Sequence, residues 1–333
     1  MSGAPTAFVF PGQGSQFPGM GREVDRFGDR GGRIVARAEE VTGLPVAELM
    51  STADARTLTD PEIAQVLVFV WSAAALARLR AQGWQPSYVA GHSLGEFTAL
   101  YAAGCLDLDT ALRLVSCRGR AMRDAARLSP GSMAALVGLP LDLVRGMCRE
   151  ECDATDLVTV ANVNSPRQAV VSGSTPAVRR VVERAQALGA LRARQLPVGG
   201  AYHSPLMAPA LPPLAAELAR ARLHPPRTPL VSSTTGRVVE DIEEYHDELP
   251  WQMLRPVQWR RTVTTLRCRG VDLFVEAGPG RVLAGLGREI AREAAHLSVQ
   301  DALCTPPGGT PPGGTPQRGA DTLLTTATPK DHS

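Results

Sequence analysis

The chain of 333 residues is long enough for two or three domain-sized units, or for one large α/β body with an insertion. Hydrophobic residues make up 44% and charged residues 20%, a globular composition that excludes wholesale disorder. The 35 basic and 33 acidic residues nearly cancel, and only 5% of residues are aromatic, so a surface that binds nucleic acid is disfavoured.

Apolar runs and helical patterns alternate along the first part of the chain. The run Ala7–Phe10 ends at Pro11 and Gly12, which predicts a buried strand followed by a glycine-rich turn. The next predicted elements are helices over Ile34–Val41 and Ile63–Gln82, a strand over Ser87–Ala90, and helices over Glu96–Ala103 and Asp107–Leu128.

The middle of the chain has a different texture. Its predicted order is strand, helix, strand, strand, helix, strand, which is the signature of a ferredoxin-like unit. The predicted elements are Ser132–Val137, Leu141–Cys152, Leu157–Val163, Gln168–Gly173, Pro176–Leu188 and Leu191–Leu196. We expect this unit to be a small subdomain inserted into a larger one.

The last third returns to alternating helices and strands, which favours a mostly parallel sheet. Its predicted elements are a helix over Pro205–Arg222, strands over Leu230–Ser233 and Asp272–Glu276, and a helix from Val282. The predicted division is a large domain over 1–129 and 198–304, a small subdomain over 130–197, and a disordered tail rich in proline and glycine over 305–333.

Membrane and secreted classes are disfavoured. No apolar run approaches the roughly 20 residues of a membrane helix, and the first ten residues lack the regions of a signal peptide. The six cysteines fit neither a disulfide scaffold nor a metal site, because the closest pair, Cys148 and Cys152, has no histidine nearby. We therefore expect a reduced, cytoplasmic protein with no metal.

The segment Gly91–Gly95 (GHSLG) fits the pattern G-x-S-x-G between a predicted strand and a predicted helix. This is the context of a nucleophile elbow, a sharp turn that exposes a reactive serine hydroxyl. The N-terminus of the following helix offers free N–H groups to a developing oxyanion. The pattern predicts Ser93 as a nucleophile, the alternative being a structural turn whose serine caps the helix.

A nucleophilic serine needs a base, and His203 is the best placed of the six histidines. It lies in a loop between a predicted strand and a predicted helix, where catalytic residues gather in such folds. Its position after Ser93 matches the order Ser…His of hydrolase-type sheets. The alternative is a loop histidine that packs against the helix.

Arg118 lies on the apolar stripe of the helix predicted over Asp107–Leu128, in step with Ala111, Val115 and Met122. A guanidinium turned inward needs a partner, because an unpaired buried charge is costly. Its fork of donors suits a carboxylate held by two hydrogen bonds. The pattern leaves two possibilities, a local salt bridge or a pocket for the carboxylate of a substrate.

The turn Gly12–Gln16 (GQGSQ) follows the first strand and is not a phosphate-binding loop, since no Gly-Lys-Ser/Thr follows it. A backbone N–H of this turn could serve as a second oxyanion donor, while the plainer possibility is an ordinary strand-to-helix turn.

Seven motifs together resemble the malonyl-CoA:acyl carrier protein transacylases and the related acyltransferases of polyketide synthases. The match runs from Ala7 to Arg292, and it implies a hydrolase-like α/β core with a mostly parallel sheet and an inserted ferredoxin-like small subdomain. The motifs are FVFPGQGSQ (Phe8–Gln16), GHSLGE (Gly91–Glu96), CRGRAM (Cys117–Met122), ANVNSP (Ala161–Pro166), GAYHSPLM (Gly200–Met207), PVQW (Pro256–Trp259) and EAGPG (Glu276–Gly280).

The resemblance implies ping-pong acyl transfer, in which Ser93 takes a malonyl group from a coenzyme A thioester and passes it to the pantetheine thiol of a holo acyl carrier protein. His203 would act as base and then as acid, and Arg118 would bind the malonyl carboxylate. No bound cofactor is implied. Further implied roles are oxyanion donation by the N–H groups of Gln13 and Leu94, orientation of His203 by the main-chain carbonyl of Gln258, and active-site positions for Asn162 and Asn164.

One residue departs from the family pattern. Phenylalanine usually precedes the histidine in this loop, whereas this chain has Tyr202, whose hydroxyl needs a partner. In polyketide acyltransferases such residues help to separate malonyl from methylmalonyl units. Malonyl is the first choice, and a trans-acting polyketide acyltransferase for a substituted malonyl unit is the alternative.

Two other classes compete with a transferase. An acyl hydrolase needs the same serine and histidine, but a site for neutral acyl chains has no use for a buried Arg118. A non-catalytic docking module would not need this set of residues. We expect a monomer that meets an acidic carrier protein through exposed arginines and that binds neither nucleic acid nor a membrane.

Overall fold

In the computed structural model, residues 5–307 are described, and the tail predicted beyond Thr305 lies outside this range from residue 308 onward. Two sheets organise these residues. A parallel sheet has the order β7-β2-β1-β8-β9 and an antiparallel sheet the order β4-β5-β3-β6. The strands are β1 (Thr6–Phe10), β2 (Tyr88–Gly91), β3 (Ser132–Val137), β4 (Val158–Ser165), β5 (Gln168–Gly173), β6 (Arg192–Gln195), β7 (Leu230–Val231), β8 (Leu273–Glu276) and β9 (Ala295–Ser298).

Helices cover both faces of the parallel sheet and one face of the antiparallel sheet. The α-helices are α1 (Gly21–Asp25), α2 (Asp29–Thr42), α3 (Val46–Thr52), α4 (Pro61–Ala81), α5 (Gly95–Ala103), α6 (Leu108–Leu128), α7 (Leu141–Glu150), α8 (Thr175–Ala187), α9 (Leu211–Leu218), α10 (Ile242–Glu248), α11 (Trp259–Cys268), α12 (Val282–Ile290) and α13 (Val299–Leu303). Within residues 5–307, 3₁₀ helices cover Thr57–Thr59, Pro205–Ala210 and Leu249–Met253. The predicted α/β class, with a parallel sheet and a small antiparallel sheet, is confirmed.

The antiparallel sheet has a core of its own. Leu136 on β3 and Val171 on β5 pack with Val144 of α7 and Val178 of α8. The two sheets meet where β4 pairs with the loop before α11: Val257 donates a hydrogen bond to Ala161 O (2.8 Å), and Val163 donates one to Val257 O (2.8 Å). This contact brings β4 beside the carboxyl edge of the parallel sheet.

Helix α4 is a long, mostly buried helix of the large domain's core. Asp60 caps its N-terminus by accepting hydrogen bonds from the N–H groups of Glu62 (2.9 Å) and Ile63 (3.3 Å), and Pro61 opens the helix with its fixed φ. The expectation that no apolar run nears membrane length is wrong here, since α4 has 21 residues and contains a window of 18 residues with a mean hydropathy of 1.5. Its apolar window is 83% buried, which is the position of a core helix.

One further prediction about an element is wrong, and one strand was missed. The helix predicted over Pro205–Arg222 divides into a 3₁₀ helix and α9, because Pro209 lies inside it and cannot donate the hydrogen bond of an α-helix. Strand β9 was not predicted from the sequence; His296 lies on it, and its ring stacks on Phe274 with centroids 4.8 Å apart.

Candidate active site

The turn between β2 and α5 holds Ser93 in a conformation that few residues adopt. Its φ is +54°, in the left-handed region. Glycine is required on both sides: a Cβ on Gly91 would lie 1.9 Å from the carbonyl carbon of Gly95, and a Cβ on Gly95 would lie 2.0 Å from Phe10 O. The chain can therefore turn sharply against β1, which leaves the Ser93 side chain facing the cleft.

His203 lies opposite Ser93. Its Nε2 is 2.7 Å from Ser93 Oγ, and its own φ is +58°. Its Nδ1 lies 2.9 Å from Gln252 O and 3.0 Å from Arg255 O. Because both carbonyls can only accept, the ring proton belongs on Nδ1 and Nε2 is left free to accept from the serine hydroxyl.

Gln258 does not orient His203, which corrects the role implied by the resemblance. Its carbonyl accepts the first hydrogen bond of α11, from Thr262 N (2.9 Å), and its N–H donates to Ser233 O (2.7 Å). The carbonyls that face His203 Nδ1 belong to Arg255 and to Gln252, which lies six positions before Gln258 in the 3₁₀ helix Leu249–Met253.

Two backbone N–H groups lie close to Ser93 without partners among residues 5–307. The N–H of Leu94 precedes α5, and the N–H of Gln13 belongs to the glycine-rich turn after β1. That turn is pressed against the elbow, since a Cβ on Gly12 would lie 2.5 Å from His92 O and 3.5 Å from Ser93 Cβ. The arrangement leaves both groups available to an oxyanion.

Arg118 projects from α6 into the same cleft and is 1% exposed. Its Nη1 donates to Gln65 Oε1 (2.8 Å), and its Nη2 donates to Gln252 Oε1 (2.8 Å) and to Ser93 Oγ (3.1 Å). It forms no salt bridge with any residue in the described range, and its Nε lacks a hydrogen-bond partner there. The local ion pair that the sequence left open is therefore absent over residues 5–307.

The buried cation changes the titration of its surroundings. Burial lowers the pKa of Arg118 to about 10, which leaves it charged at neutral pH. Burial and then the charge of Arg118 lower the pKa of His203 to about 3. The imidazole is therefore neutral across the physiological range.

Asn162 Oδ1 is buried and has no hydrogen-bond partner within the described part of the chain. The buried Tyr202 hydroxyl lies near the Gln13 side chain and the backbone of Gly199. Tyr202 is 5% exposed, and burial raises the pKa of its hydroxyl to about 12. Asn162 lies on β4 opposite Val257, beside the loop that follows Gln252. Asn164 accepts a hydrogen bond at Oδ1 from His92 Nε2 (2.9 Å), which fixes the ring next to the nucleophile.

Sequence analysis missed three residues of this cleft, Gln65, Gln252 and Glu96. Gln65 is fully buried on α4 and also donates to Met122 Sδ (3.2 Å) and Gln13 Oε1 (3.4 Å). A polar residue inside a long apolar helix was the signal that could have revealed Gln65. No cluster of three or more potential metal ligands occurs within residues 5–307.

Comparison with known proteins places this geometry among acyltransferases. The sequence matches the acyl transferase domain family over residues 7–305. It is 35% identical over 295 residues to the malonyl CoA-acyl carrier protein transacylase of Bacillus subtilis, covering 89% of this chain and 93% of the relative. It is 33% identical to the protein of that name in Staphylococcus aureus, covering 89% and 95%.

Solved structures of similar proteins superpose closely. The malonyl CoA-acyl carrier protein transacylase of Coxiella burnetii has a TM-score of 0.87 at 31% identity, covering 91% of this chain and 96% of that one. The acyl-carrier-protein S-malonyltransferase of Burkholderia pseudomallei has a TM-score of 0.85 at 37% identity, covering 90% and 98%. A malonyl-transacylase in complex with its type II polyketide synthase acyl-carrier protein has a TM-score of 0.84 at 33% identity, covering 90% and 99%.

Proposed function

The chain belongs to the acyl transferase domain family, and on that premise we propose that it moves a malonyl group from coenzyme A to the pantetheine thiol of an acyl carrier protein. One observation carries the proposal. A buried arginine without a carboxylate partner in the described chain lies 3.1 Å from a serine hydroxyl that is hydrogen-bonded to a histidine. Such a site suits an acyl group that ends in a free carboxylate.

In the first half-reaction Ser93 Oγ attacks the thioester carbonyl while His203 Nε2 takes its proton. The tetrahedral intermediate then collapses: the carbon–sulfur bond breaks, and His203 returns the proton to the departing thiolate of coenzyme A. In the second half-reaction the carrier thiol loses its proton to His203 and attacks the acyl-serine ester. Ser93 leaves and takes the proton back, so the enzyme ends unchanged.

Charge that develops on the carbonyl oxygen needs fixed donors. We assign this role to the free N–H groups of Leu94 and Gln13, one from the elbow and one from the turn pressed against it. Removing one such donor typically slows turnover by about 10²–10³-fold. Because both donors are backbone groups, no side-chain substitution at either residue deletes them directly.

Recognition of the acyl group is the role we assign to Arg118. Its Nη2 faces Ser93, and glutamine oxygens rather than carboxylates hold both Nη atoms in place. A malonyl carboxylate would add the missing negative charge, with charge-assisted hydrogen bonds worth about 1.5–3 kcal/mol. An acetyl group makes no such contact, and a site for neutral acyl chains would not need the arginine, so a hydrolase is disfavoured.

A trans-acting polyketide acyltransferase for a substituted malonyl unit is the second candidate function. Tyr202, which stands where the family usually has phenylalanine, supports it, because its buried hydroxyl makes the loop beside His203 more polar. The similarity to a polyketide malonyl-transacylase is consistent with either pathway. Asn162, with its unpartnered oxygen, is proposed as a second polar contact for the thioester arm.

The domain boundaries and the role of coenzyme A are further proposals. We divide the chain into a large domain over 1–129 and 198–304 and a subdomain over 130–197, because the antiparallel sheet and its own core lie within the second range. Coenzyme A enters as the substrate's thioester. The cytoplasmic location and the monomeric state stay predictions.

Intact-protein mass spectrometry tests the function. The protein is mixed briefly with acetyl-, malonyl-, methylmalonyl- or ethylmalonyl-CoA, and holo acyl carrier protein is then added. We expect a malonyl adduct that passes to the carrier. A preferred methylmalonyl or ethylmalonyl adduct would select the polyketide candidate, and adducts that decay to free acid in the presence of carrier would establish a hydrolase.

The lowered pKa of His203 predicts an unusual pH profile. The base works only when neutral, and a pKa of about 3 keeps it neutral well below the ordinary histidine pKa. An ordinary histidine would lose about thirtyfold in its neutral fraction by pH 5. We therefore expect kcat/KM for acylation by malonyl-CoA to change little between pH 7.5 and pH 5, as measured by rapid quench. A thirtyfold fall over that range would show that His203 titrates normally or is not the base.

A further inference from the structure

A buried acid, Glu96, lies close to the proposed catalytic pair. Glu96, three residues after Ser93 on α5, is 1% exposed. Its Oε1 accepts from Ser233 N (2.8 Å), and its Oε2 accepts from Ser233 Oγ (2.6 Å) and from Gln252 Nε2. Every one of these contacts is an accepted hydrogen bond, which is the pattern of a carboxylate.

Gln252 connects Glu96 to each of the reacting groups. Its Nε2 also donates to the carbonyl oxygen of Ser93 (2.8 Å), and its Oε1 accepts from Arg118 Nη2 (2.8 Å). Its main-chain carbonyl accepts from His203 Nδ1 (2.9 Å). One residue thus touches the nucleophile, the base and the carboxylate-binding cation.

The orientation of this amide is set by its two neighbours. Arg118 can only donate, so it requires the oxygen of Gln252, and the Glu96 carboxylate can only accept, so it requires the nitrogen. With either neighbour removed, the amide could rotate by a half-turn. Rotation would place N–H groups against the N–H groups of Arg118 and would withdraw the donor from the Ser93 carbonyl.

Glu96 also influences the charge state of Arg118. Its negative charge favours the charged form of Arg118 and so opposes the lowering of the arginine pKa by burial. Yet the two side chains form no salt bridge, because Gln252 stands between them. A carboxylate in direct contact would occupy the guanidinium and compete with a substrate for it.

We propose that Glu96 is a positioning residue for the acyl transfer: through Gln252 it aligns Ser93, His203 and Arg118 and balances the arginine charge while leaving the guanidinium open to the substrate carboxylate. This inference rests on the proposed function. In this arrangement the carboxylate of Glu96 does not contact His203 directly, because Gln252 lies between them. This role of Glu96 also predicts that moving its charge closer to Arg118 is as harmful as deleting it.

The first test is Glu96→Gln, which keeps the shape and removes the charge. Any orientation of the new amide places an N–H against an N–H of Ser233 or Gln252, so the Gln252 amide loses its fixed direction. We expect acylation by malonyl-CoA to slow by about tenfold to a hundredfold, the loss typical of a buried hydrogen bond to a charged group. Acylation by acetyl-CoA should slow less, because acetyl makes no use of Arg118.

The second test moves the charge without changing the number of heavy atoms. In the double variant Glu96→Gln/Gln252→Glu the hydrogen bond between the two positions is restored, but the carboxylate now faces Arg118 directly. The lost contact to the Ser93 carbonyl slows both donors alike, so the ratio of malonyl to acetyl acylation isolates the arginine. We expect this ratio to fall by about tenfold or more. This variant keeps the test decisive if Glu96→Gln alone folds poorly.

Glu62 supplies the matched control. It is another buried glutamate, 6% exposed, but it accepts from Ser116 Oγ (2.8 Å), pairs with Arg120 and Arg123, and has no hydrogen bond to Ser93, His203 or Arg118 in the described chain. Glu62→Gln should keep the wild-type ratio.

Wild-type selectivity in folded Glu96→Gln, or in the double variant, would overturn the proposal. A wild-type protein that takes no malonyl group would contradict the proposed function itself and remove the premise of this inference.

Discussion

Ser93→Ala is expected to abolish the covalent acyl-enzyme and to slow carrier loading by a factor on the order of 10⁶, the cost of losing the nucleophile in serine hydrolases. No other described hydroxyl shares a hydrogen bond with His203 Nε2, which lies 2.7 Å from Ser93 Oγ. Alanine removes that oxygen and leaves the elbow, whose shape depends on the flanking glycines. Intact-protein mass spectrometry after mixing with malonyl-CoA measures the adduct directly.

Ser174→Ala serves as the control for this substitution. Ser174 caps no active-site element, and its hydroxyl donates to Asp156 Oδ1 (2.7 Å) in the antiparallel-sheet region. This variant should form the adduct as the wild type does. A malonyl adduct that persists in Ser93→Ala would refute the nucleophile assignment.

Arg118→Ala is expected to lower the preference for malonyl-CoA over acetyl-CoA by about tenfold to a hundredfold. The carboxylate loses its two donors, whereas an acetyl group loses nothing. The ratio of kcat/KM values for the two thioesters measures the effect. Because the substitution also leaves the oxygens of Gln65 and Gln252 without a donor, Arg118→Lys should be measured in parallel: it keeps the charge but not the fork.

Arg123→Ala is the matched control on the same helix. Arg123 lies five residues further along α6 and pairs with Asp60 (3.4 Å) and Glu62 (3.2 Å), and it has no hydrogen bond to Ser93 or His203 in the described chain. It should keep the wild-type preference. Unchanged selectivity in folded Arg118→Ala would make the buried arginine a purely structural residue.

The local patterns predicted what depends on short stretches of chain. Helical periodicity alone predicted that Arg118 faces the core. The glycines around Ser93 indicated a sharp turn between a strand and a helix. The order of six elements between residues 132 and 195 predicted the antiparallel sheet. Each of these inferences needs only spacing along one element or one turn.

Features that depend on three-dimensional direction escaped the sequence. A motif cannot tell which of two glutamines six residues apart aims its carbonyl at a histidine, and that direction is set by the 3₁₀ helix Leu249–Met253, which had no recognised signal. Strand β9 was missed because four residues, Ala295–Ser298, alternate too briefly to reveal a period. Glu96 looked like an ordinary helix residue, because its partners Ser233 and Gln252 are more than 130 positions away.

The positive φ values of Ser93 and His203 have a consequence for anyone who engineers this protein. Only glycine adopts that region without penalty, and a non-glycine residue held there costs about 1–3 kcal/mol. A library selected for thermostability alone would therefore favour glycine at both positions. Glycine would relieve the backbone strain but would remove the nucleophile and the base. At these two sites a substitution that raises thermal stability lowers turnover. A selection for thermal stability therefore has to be coupled to a selection for acyl transfer.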